Sequence, residues 1–274
     1  MTYEHIRVEP IAAALGAEVS GVDLAQPLDD AAQREIHDAW MQHQVLFFRD
    51  QKITAQQHKE FARRFGELHV HPVLPSLKEQ GHPEIVVLES SEHAPYVADY
   101  WHSDVTFERQ PPLGSVLRGL VVPDAGGDTM WSSMYAAYDG LSDSMQRFLG
   151  TLRAKHDGGA FLAVATEDQK REISKNLTAV HPVIRTHPVT GRKSIFVNST
   201  FTKRIEGLKR RESDALLHFL FEHVGSPEFT CRFRWRPNSM AMWDNRCTQH
   251  RVVGDNPRAH RRMERATICG DAPI

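Results

Sequence analysis

Cysteine is scarce in this chain: Cys231, Cys247 and Cys269 are the three among 274 residues. The number is odd and no CxxC spacing occurs. That excludes a disulfide scaffold and a zinc ribbon, and fits a reducing cytoplasm. A basic excess is also missing. With 33 Lys and Arg against 35 Asp and Glu the net charge is −2, so nothing is available to neutralise a phosphate backbone and nucleic acid is not expected as a partner. No apolar run approaches the roughly 20 residues of a membrane span, and the opening MTYEHIRVEP lacks the basic-then-apolar pattern of a secretory signal. Internal repeats and low-complexity segments are absent. Charged residues at 25% and apolar residues at 41% exclude wholesale disorder. The expectation is a soluble cytoplasmic protein with no membrane partner. Histidine, by contrast, is plentiful at sixteen.

The N-terminal third mixes two periods. Residues 29–43 place Ile36, Ala39, Trp40 and His43 at helical spacing, with Asp29 or Asp30 as N-cap. VLFFRD (45–50) reads as a buried strand. Thr54 opens a second helix through Phe65, with Gln57 completing a capping box. Residues 66–83, rich in proline and glycine, read as a long loop. From Glu84 the chain turns β-rich: IVVL (85–88), WHSDVTF (101–107), SVLRGLVV (115–122) and DTMWSS (128–133) are strand-like. A helical stretch covers about 134–155, and the polar segment 156–178, with Gly158-Gly159, reads as a mobile insertion. Residues 182–188 and 194–198 form a hairpin about Thr190-Gly191. Residues 210–224 form an amphipathic helix. FTCRFRW (229–235), MAMWDN (240–245), TQHRVV (248–253) and MERATIC (263–269) return to β. Many short strands with frequent turn signals predict a sandwich or barrel with flanking helices. No linker divides the chain, so residues 1–274 are expected to form one domain.

The histidines invite a search for a site of two histidines and one carboxylate, the facial arrangement of non-haem iron. His-x-Asp/Glu on a strand suits it, because positions i and i+2 point the same way. Chance alone supplies about two such pairs in this composition, and there are three: His58/Glu60, His82/Glu84 and His102/Asp104. The bare motif therefore carries no weight. His58/Glu60 falls in a predicted helix and His82/Glu84 encloses Pro83, which leaves His102/Asp104 preferred; the plain alternative is a surface histidine near an aspartate. His250, with Arg261 eleven residues on, would suit two strands of one hairpin, and arginine is the residue for a carboxylate clamp. His181/Arg192 and His223/Arg234 share that spacing, so it too is weak.

Longer blocks are more specific. GAEVSGVDL (16–24), HQVLFFRDQ (43–51), RFGELHVHPV (64–73), WHSDVTF (101–107), GGDTMW (126–131), HPVIRTHPVTG (181–191), FVNSTFTKRI (196–205), WDNRCTQH (243–250) and RRMERATICGD (261–271) occur in order. Across nearly its whole length the chain resembles the TauD/TfdA family of Fe(II)- and 2-oxoglutarate-dependent dioxygenases. The resemblance implies a double-stranded β-helix, or jelly roll, with flanking helices. It implies Fe(II) as cofactor, with 2-oxoglutarate and O2 as co-substrates. His102, Asp104 and His250 match the metal ligands. Thr129 and Arg261 match the groups that hold the far carboxylate of 2-oxoglutarate. His71 and Arg265 match the residues for the substrate's anionic head, and Val105, Phe107 and Phe201 its apolar walls. The implied reaction hydroxylates the carbon next to the anionic group of a small organosulfonate, taurine first, releasing sulfite and an aldehyde alongside succinate and CO2. An alkyl sulfate ester or aryloxyalkanoate is the alternative, and a non-catalytic jelly-roll binding protein the remote one. Segments 66–83 and 156–178 are candidate lids, and a dimer or tetramer is the implied assembly.

Two positions depart from the family's taurine-oxidising members. Leu74 stands where those carry tyrosine, and Ala98 where an asparagine contacts the substrate. Neither side chain can hydrogen-bond an ammonium. Leaving that group buried and unpaired costs roughly 1–3 kcal/mol, about 10–100-fold in affinity. Asp99 or Tyr100 could compensate through a shift of the VADY segment (97–100).

Overall fold

The computed structural model describes residues 3–95, 98–163 and 165–274. Met1 and Thr2 of the opening stretch, Val97 of the VADY segment and Val164 of the 156–178 insertion lie outside the described residues. Strands β1 (Arg7–Pro10) and β2 (Ala17–Ser20) pair antiparallel and lead into α1 (Asp30–His43). Asp29 caps that helix by accepting from the Ala32 N–H. After β3 (Val45–Phe48), α2 (Ala55–Arg63) opens on the reciprocal Thr54–Gln57 box that the sequence announces. Residues 66–83 hold more structure than a loop: β4 (Leu68–His69), β5 (Ser76–Leu77) and the start of β6 (His82–Ser90). Next come β7 (Gly114–Val121) and β8 (Thr129–Ser133). The stretch 134–155 is two short helices, α3 (Met134–Asp139) and α4 (Asp143–Leu149), because Gly140 closes the first and Ser142 caps the second; it runs on into β9 (Arg153–Asp157).

The insertion does not stand free. A 3-10 segment and α5 (Glu167–Ile173) set Phe161, Leu162, Ala165, Ile173 and Leu177 against Val105, Phe107 and Phe201. Gly158 permits the close approach, since a Cβ there would lie 2.6 Å from the Phe107 ring. β10 (Thr178–Pro182), the expected hairpin of β11 (Ile184–Thr186) and β12 (Lys193–Ile195), β13 (Thr202–Ile205) and α6 (Arg210–His223) follow. The chain closes with β14 (Thr230–Phe233), β15 (Met240–Asp244), β16 (Thr248–Val252) and β17 (Arg261–Ile268).

Among the described residues nine strands form one sheet, in the order β1-β2-β3-β15-β7-β17-β6-β5 with β4 beside β17, and β14-β8-β16 form another. The period of two along each strand sorts side chains between two cores. Phe47, Leu117, Trp243 and Met263 meet Trp131 and Phe233 of the smaller sheet. Leu46, Val116, Met242 and Ala266 turn the other way, onto Trp40 of α1 and Phe61 of α2. Both faces of the large sheet are covered, which is why VLFF and MAMW read as unbroken apolar runs. The two facing sheets make the mainly β jelly roll that the resemblance implies. His250 and Arg261 are not hairpin partners: β16 pairs with β8, whereas β17 pairs with β4, β6 and β7. The intervening loop crosses from one sheet to the other and brings the two side chains together across the interior. Among the described residues no helix is long and apolar enough to cross a membrane.

Two histidines are locked into this fold as neutral rings. His58 sets Nε2 3.0 Å from the Val116 carbonyl oxygen, and burial holds it down to about 4. His156 sets Nδ1 2.9 Å from the Thr106 hydroxyl; burial, then His181, push it to about 3. Both rings titrate near 6.5 in an unfolded chain. The unfolded state therefore binds protons first, so stability is full above pH 6.5 and drains as the pH falls toward the folded values. At pH 5 each ring accounts for a loss of about 2 kcal/mol. The thermal midpoint is expected to drop steeply between pH 7 and pH 5, and less steeply in His156→Asn. A midpoint flat over that range contradicts the argument.

Candidate active site

Residues 98–104 run beside β16 without forming a regular strand. The Val252 N–H donates to the Ala98 carbonyl, and His102 and His250 exchange both backbone hydrogen bonds, at 3.1 and 2.8 Å. The Ser103 hydroxyl donates to the Thr248 carbonyl at 2.6 Å, which leaves its neighbours His102 and Asp104 to the opposite side. Segment 101–107 is thus a single bridge followed by a turn, not the strand its alternation suggested. The break comes at Val105, whose φ of +50° is unfavourable for a β-branched residue. Strain of this kind clusters at functional sites.

His102, Asp104 and His250 bring one ligand atom each to within 4.8 Å of one another. His102 Nδ1 lies 3.0 Å from the Tyr100 carbonyl; donating there fixes the tautomer and leaves Nε2 a lone pair. Burial lowers the basicity of both imidazoles, of His250 most strongly, so both stay neutral donors. Burial alone would raise the Asp104 carboxyl, but the Arg265 guanidinium beside it outweighs burial and holds the group well below the usual carboxylate range. Arg265 Nη1 lies 2.7 Å from Asp104 Oδ1, and the Ser115 hydroxyl donates to Oδ2 at 3.1 Å. Two neutral imidazoles and one ionised carboxylate form a donor set that fits a divalent iron.

A small cavity of about 40 Å³ joins His102 and His250 to Thr129 and Arg261. The Thr129 oxygen accepts from Trp235 Nε1 at 2.9 Å, so its own proton is directed elsewhere. A larger cleft of about 570 Å³ adjoins it, lined by His71, Asp104, Val105, Phe201 and Arg265. His71 Nδ1 accepts from the N–H groups of Val73 and Leu74 at 3.1 and 3.0 Å. The ring is pushed down to about 3 by burial and then by Arg265, which leaves a neutral Nε2–H donor. Phe107 stands behind Val105, 5.2 Å from Phe201. Leu74 and Ala98 both line the cleft, as does Tyr100. Asp99 is exposed and is not part of that lining. Nine of the ten side chains expected from the sequence thus surround two adjoining cavities, and Phe107 lines a separate cavity with His71 and Val105.

A second group, His187, Asp244 and Cys247, also lies within ligand reach. Its hydrogen bonds mark it as structural. His187 Nδ1 accepts from the Val189 and Thr190 N–H groups, so Nε2 carries the proton toward Asp244 at 3.0 Å. Arg246 forks onto both Asp244 oxygens. Residues the sequence did not mark include Ser115 and Phe161, which lines the large cleft. A serine in a strand and a phenylalanine in a polar insertion carry no signal of their own.

The family profile described as "Taurine catabolism dioxygenase TauD, TfdA family" matches residues 7–267. The chain belongs to that family. It is a 2-oxoglutarate-dependent dioxygenase that works with Fe(II) and O2. The dioxygenase is similar to an alkylsulfatase of Acinetobacter baylyi, at 36% identity over 98% of this chain and 86% of that protein. It is 35% identical to an α-ketoglutarate-dependent sulfate ester dioxygenase of Pseudomonas putida, over 97% and 90% of the two chains. A crystal structure of a taurine dioxygenase from Burkholderia xenovorans matches with a TM-score of 0.86 at 38% identity, covering 99% of this chain and 91% of that one.

Proposed function

We propose that this dioxygenase hydroxylates the carbon bearing the head group of a small sulfate ester or sulfonate whose remainder is apolar. The observation that carries this reading is the lining of the large cleft. Among the described residues Asp104 is the one acidic side chain in it, and that group is already paired with Arg265. Leu74, Leu88, Ala98, Phe161 and Phe201 make up much of the remaining wall. The cleft thus offers a cation and an N–H donor set in an otherwise largely hydrocarbon wall.

In this reading His102, Asp104 and His250 hold Fe(II), and Thr129 and Arg261 take the far carboxylate of 2-oxoglutarate. The bound iron, with O2 and 2-oxoglutarate, supplies the oxidising chemistry. Arg265 and the His71 Nε2–H hold the sulfate or sulfonate oxygens and so present the adjacent carbon to the metal side of the cleft. Val105, Phe107 and Phe201 exclude water around that carbon. The product carries its new hydroxyl on the carbon that holds the head group, so loss of the hydroxyl proton to solvent expels sulfate or sulfite and leaves an aldehyde. Residues 66–83 and 156–178 would close over the cleft, and 1–274 would act as one catalytic unit.

Taurine is the second reading, favoured by the Tyr100 side chain on the cleft and by the matching taurine dioxygenase structure. Incubation with Fe(II), ascorbate and 2-oxoglutarate, with hexyl sulfate or taurine, separates them. Equal amounts of succinate and sulfate from hexyl sulfate support the first reading; succinate at the substrate-free level rejects it. Leu74→Tyr with Ala98→Asn is expected to lower the KM for taurine by about tenfold or more. An unchanged KM sinks this account of the missing amine contacts.

A further inference from the structure

We propose that Ser115, with Thr267 behind it, is a positioning pair that turns the Asp104 carboxylate toward the metal; the inference rests on Asp104 being a metal ligand. Ser115 and Thr267 are register partners on β7 and β17, and both are buried. The Ser115 hydroxyl donates to Asp104 Oδ2 at 3.1 Å. A serine has one hydroxyl proton, so at the 3.4 Å contact between Ser115 and Thr267 the threonine is the donor. The order is Thr267 to Ser115 to carboxylate, across two adjacent strands.

The need for such an anchor follows from where Asp104 sits. It is the last residue before the Val105 turn, and its N–H reaches Asn245 Oδ1 only at 3.5 Å. Rotation of a carboxylate about its final side-chain bond is soft, so the backbone does not choose which oxygen meets the metal. Oδ1 lies 4.0 Å from His250 Nε2 and takes the Arg265 guanidinium. Oδ2 is held on the far side by Ser115. With Oδ2 fixed, Oδ1 is the oxygen presented to the two imidazoles. Partners that orient a metal ligand typically contribute about 10–100-fold in metal affinity.

The test is anaerobic titration of the metal-free full chain with Co(II), read by its visible absorption, beside thermal melts of the metal-free proteins. Ser115→Ala is expected to raise the Co(II) Kd by about 10–100-fold with the metal-free midpoint close to wild type. Thr267→Val should raise it several-fold and Thr267→Ser should not, because only the former loses the hydroxyl. If Ser115→Ala does not fold, Ser115→Cys, with nearly the same volume and a weak donor, replaces it. A folded Ser115 variant that binds Co(II) within twofold of wild type overturns the proposal. An Asp104→Ala protein that still binds Co(II) as tightly as wild type overturns the ligand assignment and this inference with it, a result separable from a Ser115 variant that alone is silent.

Discussion

Asp104→Ala is expected to abolish turnover and to lower the thermal midpoint together. The first effect follows from its proposed place among three ligands. Losing a partner that merely orients a ligand costs about 10–100-fold, and losing the ligand itself removes more. The second effect follows from Arg265, which is buried and has its guanidinium on Asp104 Oδ1 at 2.7 Å. Removing one partner of a buried ion pair typically costs about 3–5 kcal/mol, because the other charge stays behind. Succinate formation and a thermal melt on one preparation check both. The double variant Asp104→Ala/Arg265→Leu should recover most of the stability and none of the activity. Turnover above a tenth of wild type in the single variant would refute the ligand role.

Arg265→Leu should separate the two anions of the proposed reaction. Truncating one partner of a buried, hydrogen-bonded charge pair costs about 2–5 kcal/mol, equivalent to roughly 30-fold to several thousandfold in affinity. That loss is expected as a raised KM for the sulfate or sulfonate substrate. The Michaelis constant for the oxo-acid co-substrate should move little, since Arg261 and Thr129 line the neighbouring cavity. A parallel rise in both constants would mean that Arg265 shapes the site as a whole and does not bind the substrate's head.

Local chemistry was legible in the sequence wherever it is short-range. Asp29 is the one of the two N-cap candidates that caps α1, and the Thr54–Gln57 box and the Thr190-Gly191 hairpin are where the residues place them, because each depends on neighbours a few positions apart. Pairing across the interior was not. Spacing could not say that His250 and Arg261 belong to facing sheets, since alternation assigns a strand's faces but not its partners. Alternation also misled at residues 101–107, where the Val105 φ is invisible to any periodicity. The candidate site came from the long ordered blocks and not from the His-x-Asp pair, which chance supplies as readily. In the 156–178 insertion, acidic and basic residues masked the spacing of Phe161, Ile173 and Leu177 that packs it onto the cleft.

Arg261 and Arg265 stand four residues apart on one face of β17, with Met263 between them in the inter-sheet core. At about 3.3 Å of rise per residue their α-carbons are roughly 13 Å apart. On the proposed roles the strand is therefore a measuring rod: it fixes how far the co-substrate's outer carboxylate sits from the substrate's head. A strand cannot be stretched by fractions of a residue, and deleting one position would swing one guanidinium through the sheet to the helix side. On those roles, a change of substrate that keeps this spacing is expected to come from the other wall residues of the cleft, such as Leu74 and Phe161 on the loop and the insertion.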